Sequence, residues 1–173
     1  GLDTITETEE EFVIGCMTPL RDLELHEGLH AYTHGAMKES LRHIVGVQFR
    51  NCATVGGSIW GRFGFSDVLT MFLALDTEVE LFKGGRVCLW DFVKMPKDRD
   101  ILVHIIVKKT PIKTAYLSQR NTKTDFPVLA CCVSLSEDGM KAVYGARPSK
   151  AFLLEDEENI LKDAQTLSEE EKK

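Results

Sequence analysis

The chain has 173 residues and a formal net charge of −6, with apolar and charged fractions of 43% and 28%. That balance suits a globular protein with a real core, and it argues against non-specific nucleic-acid binding, which needs clustered Lys and Arg to displace counterions. The apolar stretches fall well short of the ~20 residues of a membrane span, and the polar, acidic start does not read as a signal peptide. Five cysteines, Cys16, Cys52, Cys88, Cys131 and Cys132, form no C-x-x-C pair and no disulfide framework. The pair Cys131-Cys132 lies in an apolar run and reads as small buried hydrophobes in a reducing cytoplasm.

In chain order, Gly1 to Thr6 alternates like a strand and Phe12 to Cys16 returns as the second strand of a hairpin. Thr18-Pro19 reads as a helix start, with Thr18 as N-cap and Pro19 at the first helical position. Leu20, Leu23 and Leu25 give its apolar stripe, and Gly28 is expected to interrupt it. A second helix fits Ala36 to Val45, with Met37, Leu41, Ile44 and Val45 on one face. Gly46 to Ser58 is expected to be irregular backbone. Ser66 then caps a third helix over Asp67 to Leu75.

Val79 to Phe82 and Val87 to Leu89 form a hairpin around Lys83-Gly84-Gly85-Arg86. Ile101 to Lys108, Thr114 to Ser118 and Val128 to Leu135 read as further strands, and Ser136 to Gly139 as a turn into Met140 to Tyr144. From Leu154 the composition shifts to Glu and Lys, and Ile160, Leu161, Ala164 and Leu167 recur at helical spacing. The pattern is α+β, with two lobes meeting near residue 109.

Gly56-Gly57 carries the first chemical signal. Adjacent glycines let backbone approach a bulky ligand and expose N–H groups, here with the hydroxyls of Thr54 and Ser58 beside them. Such a turn can bind a pyrophosphate without a basic side chain. Asp67, nine residues after Ser58 at a helix start, can accept hydrogen bonds from ligand hydroxyls. By itself a glycine pair is more often only a turn, and neither G-x-G-x-x-G nor a P-loop is present.

The ordered series of motifs is more specific. Arg50-Asn51-Cys52-Ala53-Thr54-Val55-Gly56-Gly57-Ser58-Ile59 resembles the R-N-x-A-T-[IV]-G-G-N-[IL] of the FAD subunits of molybdenum hydroxylases, the xanthine dehydrogenase and carbon monoxide dehydrogenase group. Phe12 to Gly15, Gly61 to Leu69, Leu73 to Leu81 and Asp125 to Leu129 resemble other segments of that family in family order. The resemblance implies the second lobe of a PCMH-type FAD-binding domain over 1–109, followed by part of the carbon monoxide dehydrogenase flavoprotein C-terminal domain over 110–173. It implies that Thr54, Val55, Gly56, Gly57 and Ser58 hold the FAD pyrophosphate and ribityl region. It further implies that Asp67 contacts FAD, that Ile44 packs beside the flavin and that Leu102 lies near the isoalloxazine edge.

The family role so implied is electron transfer from iron–sulfur clusters through FAD to NAD or another acceptor. The partners are a molybdopterin-binding subunit and a 2Fe-2S subunit, with no nucleic acid and no membrane among them. No catalytic side chain is implied, because the isoalloxazine does the redox chemistry. Three departures stand out. Ser58 replaces the usual Asn, the stretch Tyr116 to Arg120 offers no Lys where many members have one, and the family's first FAD-binding lobe would lie upstream of Gly1. The last two departures motivate an alternative, a flavin-free assembly or interaction module of the same fold.

A competing motif is His26-Glu27-Gly28-Leu29-His30, which matches H-E-x-x-H, with His34 at the same spacing beyond it. On one helix these residues could hold zinc for a hydrolase, with Glu27 as general base. Gly28 disfavours that helix by about 1 kcal/mol relative to Ala, and the surroundings lack a strongly apolar helix, so exposed non-catalytic histidines are the expectation.

Overall fold

A computed structural model describes residues 1–137, 139–146 and 150–154. The amphipathic segment expected beyond Leu154 lies outside the described residues.

The described residues form two antiparallel sheets. The first has five strands in the order β1-β2-β5-β3-β4, formed by Ile5–Glu7 (β1), Glu11–Gly15 (β2), Thr77–Leu81 (β3), Gly85–Cys88 (β4) and Leu102–Lys108 (β5). The second has the order β6-β7-β8-β9, formed by Lys113–Gln119 (β6), Leu129–Ser136 (β7), Gly139–Gly145 (β8) and Phe152–Leu153 (β9). Both expected hairpins form, Ile5 pairing with Ile14 and Val79 with Val87. Strand β5 lies in the middle of its sheet, and Ile105, Ile106 and Val107 are all fully buried there.

Among the described residues, seven short helices fill the space around and between the sheets: Leu20–Leu25 (α1), Glu27–Tyr32 (α2), Ala36–Leu41 (α3), Val47–Cys52 (α4), Val55–Trp60 (α5), Asp67–Leu73 (α6) and Leu89–Lys94 (α7). Every residue of α6 is buried. A helix without a wet face has to be covered on all sides, and α6 packs on β7 and β8 as well as on α3 and α5. Helix α5 in turn packs on β5. One continuous apolar cluster runs from Phe12 and Ile105 of the first sheet through Phe72 to Cys132 and Val143 of the second.

Several local expectations are corrected. Pro19, not Thr18, occupies the N-cap of α1, and the Thr18 hydroxyl instead donates to the Thr4 carbonyl at 3.3 Å. Leu25 is 55% exposed and lies outside the apolar stripe. The break after α1 falls at His26, and Gly28 sits inside α2. Helix α3 stops at Leu41, so Ile44 and Val45 lie beyond it, Val45 with φ of 49°. Gly46 to Ser58 is not irregular: it holds α4 and the start of α5.

The H-E-x-x-H segment does not form one helical face. His26 caps α2 from outside it, its Nδ1 accepting from the Leu29 N–H at 3.1 Å. His26 therefore stands before α2 and His30 within it, so the pair does not share the helical turn that the motif requires. Among the described residues no group of three or more His, Cys, Asp or Glu is placed to hold a metal ion, and no helix is long and apolar enough to cross a membrane.

Candidate cofactor site

The glycine pair lies in the first turn of α5, whose N-cap is Thr54. Its hydroxyl oxygen accepts from the Gly57 N–H at 3.1 Å. The other N–H groups of this turn are also engaged: Val55 donates to Thr18 O at 2.9 Å, Gly56 to Cys16 O at 2.8 Å and Ser58 to Thr54 O at 3.2 Å. The expected row of open backbone donors is therefore replaced by a helix start sewn to the β2 end. The cap uses the Thr54 hydroxyl as an acceptor, which leaves its proton to donate outward.

The two glycines serve different ends. A Cβ on Gly56 would stand 2.5 Å from the Cys16 carbonyl oxygen, so this position admits only glycine if α5 is to lie against Cys16. Gly57 points the other way and lines a cavity of about 670 Å³. That volume falls in the usual ~300–1,000 Å³ range of ligand pockets. Thr54, Gly57 and Ser58 form one wall, with Ile44 and Asp67 also on the lining. Val55 is fully buried, Gly56 is buried, and Leu102 is 6% exposed within the first sheet. These three do not reach the cavity: Val55 and Gly56 face the core, and Leu102 pairs with Leu81.

Arg50, the first residue of the motif, is a clamp. Its Nε donates to Glu24 Oε2 at 2.8 Å and its Nη1 to the Ile44 carbonyl at 3.0 Å, with 4% of the residue exposed. It thus ties α4 to α1 and fixes the backbone that carries Ile44 into the cavity. Burial pushes the Glu24 carboxyl up, but hydrogen bonds from Arg21 and Arg50 outweigh it and hold the group below the usual carboxylate range.

Asp67 opens α6, behind the Ser66 cap whose hydroxyl accepts from the Leu69 N–H at 3.1 Å. Its Oδ1 already has two protein donors, the Tyr116 hydroxyl and the Arg120 guanidinium. Burial pushes the Asp67 carboxyl above its ordinary value, against the pull of Tyr116 and Arg120. Burial together with the neighbouring Asp67 raises the Tyr116 phenol, so it stays protonated and donates.

Two cavity residues carried no sequence signal. Arg120 lies at the end of β6 and lines the cavity with its side chain 7% exposed. His43 also lines it, and its buried Nδ1 has no hydrogen-bond partner. Burial lowers the His43 pKa, with the Arg42 charge adding to the effect. Neither residue sits in a recognisable motif, and Arg120 reaches the cavity only because the second sheet packs against α6.

These features fit a large ligand with a polar chain. An orphaned imidazole nitrogen, a hydroxyl proton at Thr54 and an absent side chain at Gly57 converge on one space with apolar walls. The fold and this site define a flavin-binding domain of the molybdenum-enzyme type. Residues 1–110 match the family described as the FAD binding domain in molybdopterin dehydrogenase, and the chain belongs to that family. The cofactor of the family is FAD.

Among curated proteins, the chain is 30% identical over 149 residues to the uncharacterized protein YgfM of Escherichia coli (strain K12). The match covers 84% of this chain and 54% of the relative, and the O157:H7 protein of the same name matches equally. The chain thus spans about half the length of these relatives. Three solved structures share the fold. They are carbon monoxide dehydrogenase from Hydrogenophaga pseudoflava (TM-score 0.81, 23% identity, 92% of this chain and 61% of that one), quinoline 2-oxidoreductase from Pseudomonas putida 86 (0.78, 17%, 88% and 57%), and CO dehydrogenase from Oligotropha carboxidovorans (0.77, 21%, 88% and 58%).

Proposed function

We propose that the chain holds FAD in the cavity between α5, α6 and the end of β6, as the flavin-binding part of a molybdenum hydroxylase. The observation that carries this reading is the convergence of Thr54, Gly57 and Ser58 with Asp67 on one cavity in a chain of this family. Thr54 and Ser58 supply hydroxyls to the phosphate and ribityl region, and the bare Gly57 gives it room. The Asp67 carboxylate, with one oxygen held by Tyr116 and Arg120, presents the other to ligand hydroxyls. Ile44 packs on the cofactor's apolar surface. Bound FAD supplies the redox chemistry, while the protein supplies binding and orientation.

In the whole protein this part receives electrons from iron–sulfur clusters and passes them to NAD or another acceptor. The partners we propose are a molybdopterin-binding subunit and a 2Fe-2S subunit, in the cytoplasm. The domain boundary we propose lies near residue 109, between the last strand of the first sheet and the first strand of the second. The test is the flavin content of the purified full-length protein, read as visible absorbance and as FAD released by acid. Near-stoichiometric FAD supports the reading, and no flavin after reconstitution refutes it.

A further inference from the structure

Three phenylalanines at the cavity rim have no role in the site as described. Phe63 and Phe65 come from the segment before α6, and Phe126 from the loop between β6 and β7. All three line the cavity. Phe63 and Phe65 are stacked, with centroids 5.1 Å apart and planes 10° from parallel. Phe126 meets Phe65 at 4.6 Å and 57°. Their exposures are 52%, 41% and 72%. A single exposed apolar side chain needs no explanation, but touching rings form a patch that marks a binding surface.

The patch is held in place. The Arg120 Nη1 donates to the Asp125 carbonyl at 2.6 Å, and the Thr122 N–H donates to Asp125 Oδ2 at 3.1 Å. The loop closes where the Val128 N–H donates to Gln119 O at 2.8 Å. The same guanidinium pairs with Asp67, one residue after the Ser66 cap. Arg120 therefore fixes both segments that carry the rings.

We propose that Phe63, Phe65 and Phe126 form a stacking wall that takes a planar heteroaromatic ring of the cofactor. The proposal rests on the FAD reading above. Phenylalanine has no polar atom, so the wall recognises a ring face by contact and offset stacking. Ile44 and Val45 supply apolar surface elsewhere on the lining, and Ser58 and Asp67 supply polar groups. That combination matches a molecule with a flat ring joined to a polar chain. Adenine and isoalloxazine both present such a face, and the experiment separates them.

The test uses Phe65→Leu and Phe126→Leu, singly and together, in the full-length protein. Affinities for FAD, riboflavin and ADP are measured by calorimetry and fluorescence quenching. Each single variant is expected to weaken FAD about fivefold and the pair roughly twentyfold, the loss expected for removed ring pairs. The thermal midpoint stays unchanged, because the rings are exposed. A parallel loss for riboflavin assigns the wall to the isoalloxazine, and a parallel loss for ADP assigns it to adenine. FAD affinity within twofold of native in the double variant overturns the wall, and the FAD reading survives if Gly57→Val still loses FAD. A lowered midpoint with unchanged FAD affinity also overturns it, placing the rings against polypeptide. A native protein that binds no FAD overturns the wall and the FAD reading together.

Discussion

Asp67 and Arg120 form a buried ion pair across the two halves of the fold: the carboxylate opens α6 and the guanidinium ends β6, with side-chain exposures of 6% and 7%. Removing one partner of such a pair leaves an uncompensated buried charge and typically costs about 3–5 kcal/mol. Arg120→Ala should destabilise the protein on that scale and also release the 120–128 loop. The pH dependence has a defined sign. Burial raises the Asp67 carboxyl in the folded state, so its contribution is fully present below the unfolded value of about 3.9 and declines as pH rises. Without Arg120 the group is raised further. The midpoint gap between native and Arg120→Ala should therefore widen as pH rises above the raised folded value of Asp67, and a constant gap in a thermal melt series contradicts this.

Glu24 and Arg50 behave in the opposite sense. The folded Glu24 carboxyl is held low by its arginines. Its contribution is present above the unfolded value of about 4.3 and is lost as pH falls through the lower folded value. Glu24→Gln should be less stable than native at pH 7, and the difference should shrink below about pH 4. Arg50→Ala should cost about 3–5 kcal/mol and should lower FAD content as Ile44 loses its anchor. Denaturant midpoints at pH 7 and at acid pH check both.

The two glycines should separate folding from binding. Gly56→Ala forces a carbon to 2.5 Å from a backbone oxygen and should destabilise by about 1–3 kcal/mol through overpacking. At Gly57 an added carbon meets only the Thr54 hydroxyl, at 3.2 Å. Gly57→Val should therefore fold, with a midpoint close to native, yet retain no FAD because its side chain fills the cavity. Wild-type FAD content in that variant would sink the site assignment.

Val45 is a β-branched residue at φ of 49° on the cavity lining, half exposed. That conformation costs an L-residue roughly 1–2 kcal/mol, and a glycine there returns about 0.5–1 kcal/mol in chain entropy. Val45→Gly should raise stability by about 0.5–1 kcal/mol. A midpoint lower than native would show that the side chain's packing outweighs the strain.

Thiol reactivity should follow burial. Burial pushes Cys132 up to about 12, so it stays a thiol at neutral pH, while Cys52 and Cys88 are exposed. Alkylation of the native protein at pH 7.5, mapped by mass spectrometry, should label Cys52 and Cys88 and spare Cys132 until the chain unfolds.

Local chemistry in the chain specified the hairpins, the Ser66 cap, the α+β class and the ordered motifs that identify the family, because alternation, caps and turn residues act over a few positions. The same chemistry misjudged Gly46 to Ser58. Two glycines disfavour helix by about 1 kcal/mol each, but Gly56 lies flat on Cys16 and Thr54 caps the turn, so tertiary contact overrides propensity. Only the packed structure separated the inward Val55 and Gly56 from the outward Gly57. Only the packed structure made Arg50 a clamp, and only it brought Arg120 and Phe126 to a cavity built by residues more than fifty positions earlier. Those placements depend on two sheets closing around α6, a long-range contact that no local window encodes.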